Sequence, residues 1–407
     1  MTKAFETTPL PRRFFLQSIA GAAAITALSP FRVSFAAAPG DQRFVFIILR
    51  GAMDGLAAVA PYGDPAYAQA RGNIALPKSA YTPIDGFYGL HKSFSGFQNL
   101  MQQKEAVVIH AIATPYRERS HFDAQNVLEC GATRPHGLRD GWLNRALSVI
   151  DTKSDTPGLA VGQAIPLALQ GQVAVGSWSP SAKGVPPDAM LLTLEKLYAQ
   201  DDIFHSALSQ AVNIHDIVDE GGMGKMRGNA NLRNRQAMAD TIKAVGKILS
   251  DPKGPRIATL ELGGWDTHAQ QGTEAGVLAN NFATLDEAFK GLKEALGPLW
   301  AKTVVLAATE FGRTVSVNGT GGTDHGTASC AFMAGGAVNG GGVVAKWPGL
   351  DKTQQYEGRD LRPTTDLRQV AKAVLQNHLQ LPLRDVEQHI FPDSLQIRPL
   401  DGLIRKT

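Results

Sequence analysis

Residues 43–55 read RFVFIILRGAMDG. An unbroken apolar run rich in Val, Ile and Phe, with no alternate polar position, is the signature of a strand covered on both faces. The glycines and the aspartate that follow mark a turn. The same grammar recurs in AVVIHAI (106–112), IATLEL (257–262) and TVVLAA (303–308), each running into a polar or glycine-rich loop. Helical patterns lie between them: SFSGFQNLMQQ, HFDAQNVLEC and WLNRALSVI. A longer one runs from about Gly276 to Trp300, with Leu278, Phe282, Leu285, Phe289 and Leu292 on one face. Strands alternating with helices predict an α/β fold, a mostly parallel sheet sandwiched by helices. In such folds ligands bind beyond the carboxyl ends of the strands.

The first 36 residues are of another kind. LPRRFFLQSIAGAAAITALSP pairs Arg12 and Arg13 ahead of a short, mild apolar run, too weak to span a bilayer. It resembles a twin-arginine export signal, with a cleavage site near Ala36. The expectation is a signal peptide over 1–36, use of the twin-arginine export machinery, a periplasmic or secreted product, and no stable membrane span after cleavage. The segment carries Lys3, Arg12, Arg13 and Arg32 against Glu6, a net +3 that equals the net charge of the whole chain. The remainder is formally neutral, which argues against nucleic acid as a partner. With 371 residues left after removal of 36 from 407, a core of ordinary size needs no disulfide staple. Cys130 and Cys330, the two cysteines of the chain, form no framework pattern; they either pair or stay as buried thiols.

Residues 37–407 read as one α/β domain. From 171 to 255 the pattern changes to a loop-rich and then mostly helical insertion or cap, after which strands resume at Ile257. The final helix is expected over TTDLRQVAKAVLQNHL (364–379), capped by Thr.

Four strand ends carry chemistry-bearing residues. Asp54 follows the first. Arg119, Ser120 and His121 follow the second. Asp266 and His268 follow the third, one residue apart and so on one side of an extended segment. Glu310 and Arg313 follow the fourth, with Asp324 and His325 across the glycine-rich TVSVNGTGG. Carboxylates with imidazoles suit a divalent metal. Each also has a plainer reading. Asp54 and Asp266 are good helix caps, and His268 can bond a backbone carbonyl. Glu310 and Arg313 can pair as helix neighbours. Ser120 stands at a helix start as a nucleophile beside favourable partial charge or as the cap of an SHFD capping box. The remaining histidines, His91, His110, His136, His205 and His215 among them, read as structural, with His91 near a loop able to reach the site. Neither GxxxxGK[ST] nor GxGxxG occurs where a nucleotide fold would place it.

Together, ILRGAMDGLAAVAPYGDPAY, PYRERSHFDAQ, DGWLNR, GGWDTH and TEFGRTVSVNGTGGTDHG resemble the exported bacterial family called domain of unknown function 1501, itself similar to the alkaline phosphatase and sulfatase superfamily. The resemblance covers roughly 43–350 and implies an alkaline-phosphatase-like fold. Carried over position by position, it implies Asp54, Asp266, His268, Glu310 and His325 as ligands of one or two divalent metals (Zn, Mn, Mg or Ca), Asp324 beside them, and Ser120 as nucleophile. Arg119, His121 and Arg313 would bind the substrate. The chain departs from that pattern where Glu310-Phe311 replaces an adjacent Asp-His, which puts a second metal in doubt. It has no CxPSR-type segment, against ordinary sulfatase activity. The expectation is an exported metal-dependent hydrolase acting on phosphate or related esters; the alternative is a non-catalytic binding or assembly protein on a degenerate hydrolase fold.

Overall fold

β1 (Arg43–Leu49) lies at the centre of the main sheet and is buried at every position. Its side chains alternate between two cores: Val45, Ile47 and Leu49 face one, Phe44, Phe46 and Ile48 the other. That two-sided burial is why the run lacks polar residues. The computed structural model describes residues 41–150, 154, 157–162, 164–180, 194 and 230–406. The expected signal segment, most of the expected helical insertion, and His205 and His215 therefore lie outside the described residues.

The strands in chain order are β1, β2 (Val59–Ala60), β3 (Tyr81–Pro83), β4 (Gly89–His91), β5 (Ala106–Ala113), β6 (Gly158–Val161), β7 (Gly176–Trp178), β8 (Ile257–Leu262), β9 (Thr303–Thr309), β10 (Ser329–Ala334), β11 (Val343–Val344) and β12 (Thr365–Asp366). β2, β4 and β3 form a small antiparallel sheet. The main sheet runs β11-β5-β10-β9-β1-β8-β6-β7, with β12 paired to β5. β1 is parallel to both β8 and β9, and β6 is parallel to β7 and β8. β10 alone runs against its neighbours β5 and β9. The carboxyl ends of β1, β5, β8 and β9 thus share one rim, and the segment entering β10 starts from that same rim.

Helices cover both faces. α1 (Gly55–Ala58) follows β1 directly; α2 (Tyr67–Arg71) and α3 (Ser95–Gln102) follow. α4 (His121–Cys130) leaves the end of β5, and α5 (Trp142–Val149) packs behind it. α6 (Ala230–Ser250) and α7 (Val277–Leu296) lie against each other. The apolar stripe expected on α7 is buried in the core, from Leu278 to Leu292. α8 (Leu367–Ala373) is capped by Asp366, with Gln369 closing a capping box. That corrects the expected Thr cap: the residue whose carboxylate reaches the helix N–H groups takes the role. The helix continues as a π-helical turn, Val374–His378, and is followed by Leu383–Asp385 and Val386–Ile390, so it is not the last. The insertion expected from 171, loop-rich before its helices, opens with β7, which pairs in parallel with β6 at the sheet edge. Cys130 and Cys330 are both free and buried. Among the described residues, no helix is long and apolar enough to cross a membrane.

Candidate metal centre at the carboxyl rim of the sheet

Three loops bring imidazoles together. His121 is the first residue of α4, straight after the β5 loop. Asp266 and His268 follow β8. His325 sits in the long connection between β9 and β10. That connection doubles back: Arg313 bridges His325 in antiparallel fashion, and Gly326 N–H donates to the Gly312 carbonyl at 2.8 Å. Because β10 is antiparallel, its incoming segment must return to the rim that β9 has just left. Gly326 permits the close pass, since a Cβ there would lie 2.4 Å from the Arg313 backbone. On the other side, Gly51 has φ +116°, and a Cβ would lie 2.7 Å from Asp266 N, so only glycine lets β1 end against the Asp266 loop.

The Nε2 atoms converge. His325 Nε2 is 3.0 Å from His121 Nε2 and 3.0 Å from His268 Nε2. Asp266 Oδ1 is 3.0 Å from His268 Nε2 and 3.3 Å from His325 Nε2, and Asp266 Oδ2 is 3.5 Å from His121 Nε2. One ligand atom each from His121, Asp266 and His325 falls within 4.8 Å of the others.

The far nitrogens fix the protons. His121 Nδ1 lies 2.8 Å from Glu310 Oε1, His325 Nδ1 lies 3.0 Å from the Arg119 carbonyl, and His268 Nδ1 lies 3.3 Å from Asp324 Oδ1. For His121 and His325 the partner is an acceptor only, so Nδ1 is placed to carry hydrogen and Nε2 to be bare, whereas His268 lies between two carboxylates, Asp324 at 3.3 Å on Nδ1 and Asp266 at 3.0 Å on Nε2. Two bare nitrogens 3.0 Å apart repel unless positive charge lies between them, and only a shared proton or a cation can supply it. Neighbouring pairs of donors at 3.0–3.5 Å fit a cation better, and the three whose ligand atoms all lie near one another are His121, Asp266 and His325. A tetrahedral shell of bond length about 2.0–2.1 Å has edges of about 3.3 Å.

The same contacts shift the titrating groups. Glu310 is fully buried, yet it stays below the ordinary glutamate range: burial pushes it up, but His121, Gln125 and the Gly51 N–H bind its charged form. Its hydrogen bond, chiefly, raises His121. Burial, and then the neighbouring His121, lower His325. Burial pushes Asp266 up, but the Arg313 hydrogen bond and charge carry it below its usual value. The Asn318 amide, ahead of His268, lowers Asp324.

Several expected roles fall elsewhere. Asp54 does not reach the cluster. Its Oδ1 caps α1 through Leu56 N and Ala57 N at 3.1 and 3.2 Å, and its Oδ2 binds Arg71 and Gln271. Its acceptor sites are spent on the helix cap, the Gln271 amide and the buried Arg71 pair. Glu310 stands behind His121 rather than beside it, held by the Gly51 N–H, His121 and Gln125, with the Thr309 hydroxyl beside its other oxygen. Asp324 stands behind His268. His121, expected to touch substrate, supplies one of the converging nitrogens. Arg313, expected to clamp substrate oxygens, is buried and turns onto Asp266 and Thr323. Arg119 is taken by Asp360 and Glu357. Ser120 occupies the N-cap of α4 but makes no side-chain cap bond. The SHFD capping box does not form, because Asp123 accepts from Tyr116 Oη instead. His91 and His110 bind the carbonyls of Thr273 and Val59 and are structural. Gln125, which the sequence reading did not single out, donates to Glu310 at 3.1 Å while accepting from Arg50. Its position one helical turn after His121 was the available signal.

Solved structures resemble the chain at low identity. One, described under metabolism of multiple glycosaminoglycans by Bacteroides thetaiotaomicron, is 11% identical, covers 88% of this chain and 75% of its own, and has a TM-score of 0.41. The C-terminal periplasmic domain of EcEptC from Escherichia coli, in complex with Zn, is 9% identical over 73% of this chain and 74% of its own, with a TM-score of 0.35. The alkaline phosphatase from the Antarctic bacterium TAB5 is 14% identical over 74% of this chain and 94% of its own, with a TM-score of 0.37. No curated protein matches the chain. Residues 106–388 match the family model "Protein of unknown function (DUF1501)", and that span, which includes every converging imidazole, makes the chain a member of the DUF1501 family.

Proposed function

We propose that the protein is an exported, metal-dependent hydrolase of phosphate or related esters. The observation that supports it most is His325 Nε2 standing 3.0 Å from the Nε2 atoms of both His121 and His268, with Asp266 beside them and an acceptor behind every Nδ1. Imidazoles with one carboxylate fit zinc or a similar first-row ion; magnesium and calcium prefer oxygen ligands. When bound, such an ion supplies Lewis acidity toward an ester oxygen and toward an attacking hydroxyl. The protein's part is to keep the donors ready. Glu310 holds the proton on Nδ1 of His121, and Arg313 keeps Asp266 ionised. The Asp266 and His268 side chains are 42% and 47% exposed, so that side of the cluster is open to a substrate. Ser120, whose hydroxyl makes no bond to the helix end and hydrogen-bonds Tyr116, is the nearest nucleophile in sequence to His121. Export rests on the paired arginines of the first 36 residues.

A second reading, a binding or assembly protein that uses the same centre without turnover, is favoured by the two arginines. Both are committed to protein carboxylates, so neither is free to grip the oxygens of a transferring group. Metal analysis of the natively exported protein, followed by assay of aryl phosphate mono- and diesters with zinc or manganese, separates the readings. Hydrolysis that is lost in Asp266→Ala supports the enzyme. Stoichiometric metal without hydrolysis supports the binding protein. Absence of metal in the wild-type protein sinks both.

A further inference from the structure

We propose that the turn over residues 356–360 is a clasp that sets the orientation of His325, with Arg119 and Asp360 as its positioning residues; this rests on the metal reading above. Arg119 has φ +63°, a left-handed conformation that a long L side chain adopts at a cost. The strained residue is the one whose carbonyl accepts from His325 Nδ1 at 3.0 Å. Its side chain is gripped from the far side. Nε donates to Asp360 Oδ2 at 2.8 Å, and a terminal nitrogen lies 2.5 Å from Glu357 Oε2. The guanidinium carbon sits 6.0 Å from the centre of the Tyr356 ring. The same turn holds the second strand of the pair, because Arg359 donates to the His325 carbonyl and its own carbonyl accepts from Val315 N at 3.2 Å. Tyr356 and Asp360 close the turn through backbone bonds of 2.8 and 3.1 Å.

The contacts are unequal. Glu357 is 58% exposed on its side chain, so its pair with Arg119 contributes little. Asp360 is wholly buried, and its Oδ1 has no hydrogen-bond partner, with only the Arg359 guanidinium 3.6 Å away. A carboxylate kept in that condition costs stability. A loop that needed only tying down would be served by the Thr314, Val315 and Tyr356 backbone bonds. The additional charge is spent on holding one strained residue, whose carbonyl determines which nitrogen of His325 is bare.

The experiment compares the wild-type protein with Asp360→Asn, Glu357→Gln and Arg119→Lys. Cobalt(II) affinity is measured by chelator competition, and thermal stability in excess chelator. Asp360→Asn is expected to weaken cobalt binding about 10- to 100-fold, the range for groups that orient a ligand from behind, and Glu357→Gln less than about threefold. A purely structural role lowers the melting temperature and leaves cobalt affinity within about twofold, and that result overturns the clasp. If Asp360→Asn does not fold, Arg119→Lys decides: it keeps the charge and loses the planar fork, and unchanged cobalt affinity is again fatal. If the wild-type protein binds no cobalt, the metal reading fails on its own, and nitrogen NMR of His325 tests the clasp separately. Hydrogen on Nδ1 in the wild type, with a mixture of tautomers in Asp360→Asn, supports it; identical spectra refute it.

Discussion

Glu310→Gln isolates one charge. Oε1 of Glu310 accepts from His121 Nδ1, Gly51 N and Gln125 Nε2 at 2.8, 2.9 and 3.1 Å, and Oε2 lies 2.9 Å from Thr309 Oγ1. A glutamine carbonyl can keep the three donors. Its amide then faces Thr309 Oγ1, which accepts from Met53 N at 3.1 Å and donates to the Leu49 carbonyl at 2.8 Å. That hydroxyl has a lone pair left for one new N–H, and the second amide hydrogen has no acceptor among these groups, so the fold should lose about 1–3 kcal/mol. What disappears is the charge behind His121. A hydrogen bond to a charged group contributes about 1.5–3 kcal/mol and a neutral one about 0.5–1.5. The difference, about 1–2 kcal/mol, is taken from the basicity of Nε2. At about 1.4 kcal/mol per decade, zinc affinity should fall roughly tenfold, toward about 100-fold at most. Competition against a chromophoric chelator near neutral pH measures it. Affinity within about twofold of wild type would show that His121 is not a ligand or that Glu310 does not orient it. Unfolding in chelator would refute the hydrogen-bond accounting instead.

Asp54→Asn keeps a good helix cap and removes the charge from the Arg71 pair, so it should destabilise the protein yet leave zinc affinity within about threefold; a larger loss would return Asp54 to the ligand set. Arg71→Met strands Asp54 among buried groups and should lower the unfolding free energy by about 3–5 kcal/mol in urea titration. Gly51→Ala places a Cβ 2.7 Å from Asp266 N at φ +116°, and should cost about 1–3 kcal/mol with weakened metal binding; a neutral result would mean that the β1 turn is free to shift. Burial holds His110 and His378 down at about 4. Their folded pKa values lie below the unfolded value of about 6.5, so the stability they contribute is intact above that pH. It is lost as pH falls toward 4, on the order of 3 kcal/mol each. The melting temperature of chelator-treated protein should drop across that window, and less steeply in His378→Gln; a flat profile would contradict the buried neutral imidazoles.

The strands that build the rim were legible because burial on both faces forces an apolar run, and β1 and β8 have the bounds their sequences gave them. β10 was not. SCAFMA is small and mixed, and it pairs antiparallel between two strands that hide it, so neither periodicity nor β-branched content marks it. That one strand also decides which residues meet, since it is what sends the 310–328 connection back to the rim and carries His325 with it. Ligand-type residues could be read at every strand end, but composition cannot tell which carboxylates face inward and which stand behind an imidazole. Asp54 and Asp266 follow parallel strands on adjacent paths, and each has an arginine partner. Asp54 meets Arg71 with both groups buried, whereas Asp266 meets Arg313 with its own side chain 42% exposed. A buried pair is neutralised and finished; a half-exposed carboxylate with one oxygen on an arginine still has a lone pair facing three imidazoles. The difference between a structural acid and a candidate ligand here is solvent exposure, a tertiary property fixed by the helices packed over each strand end.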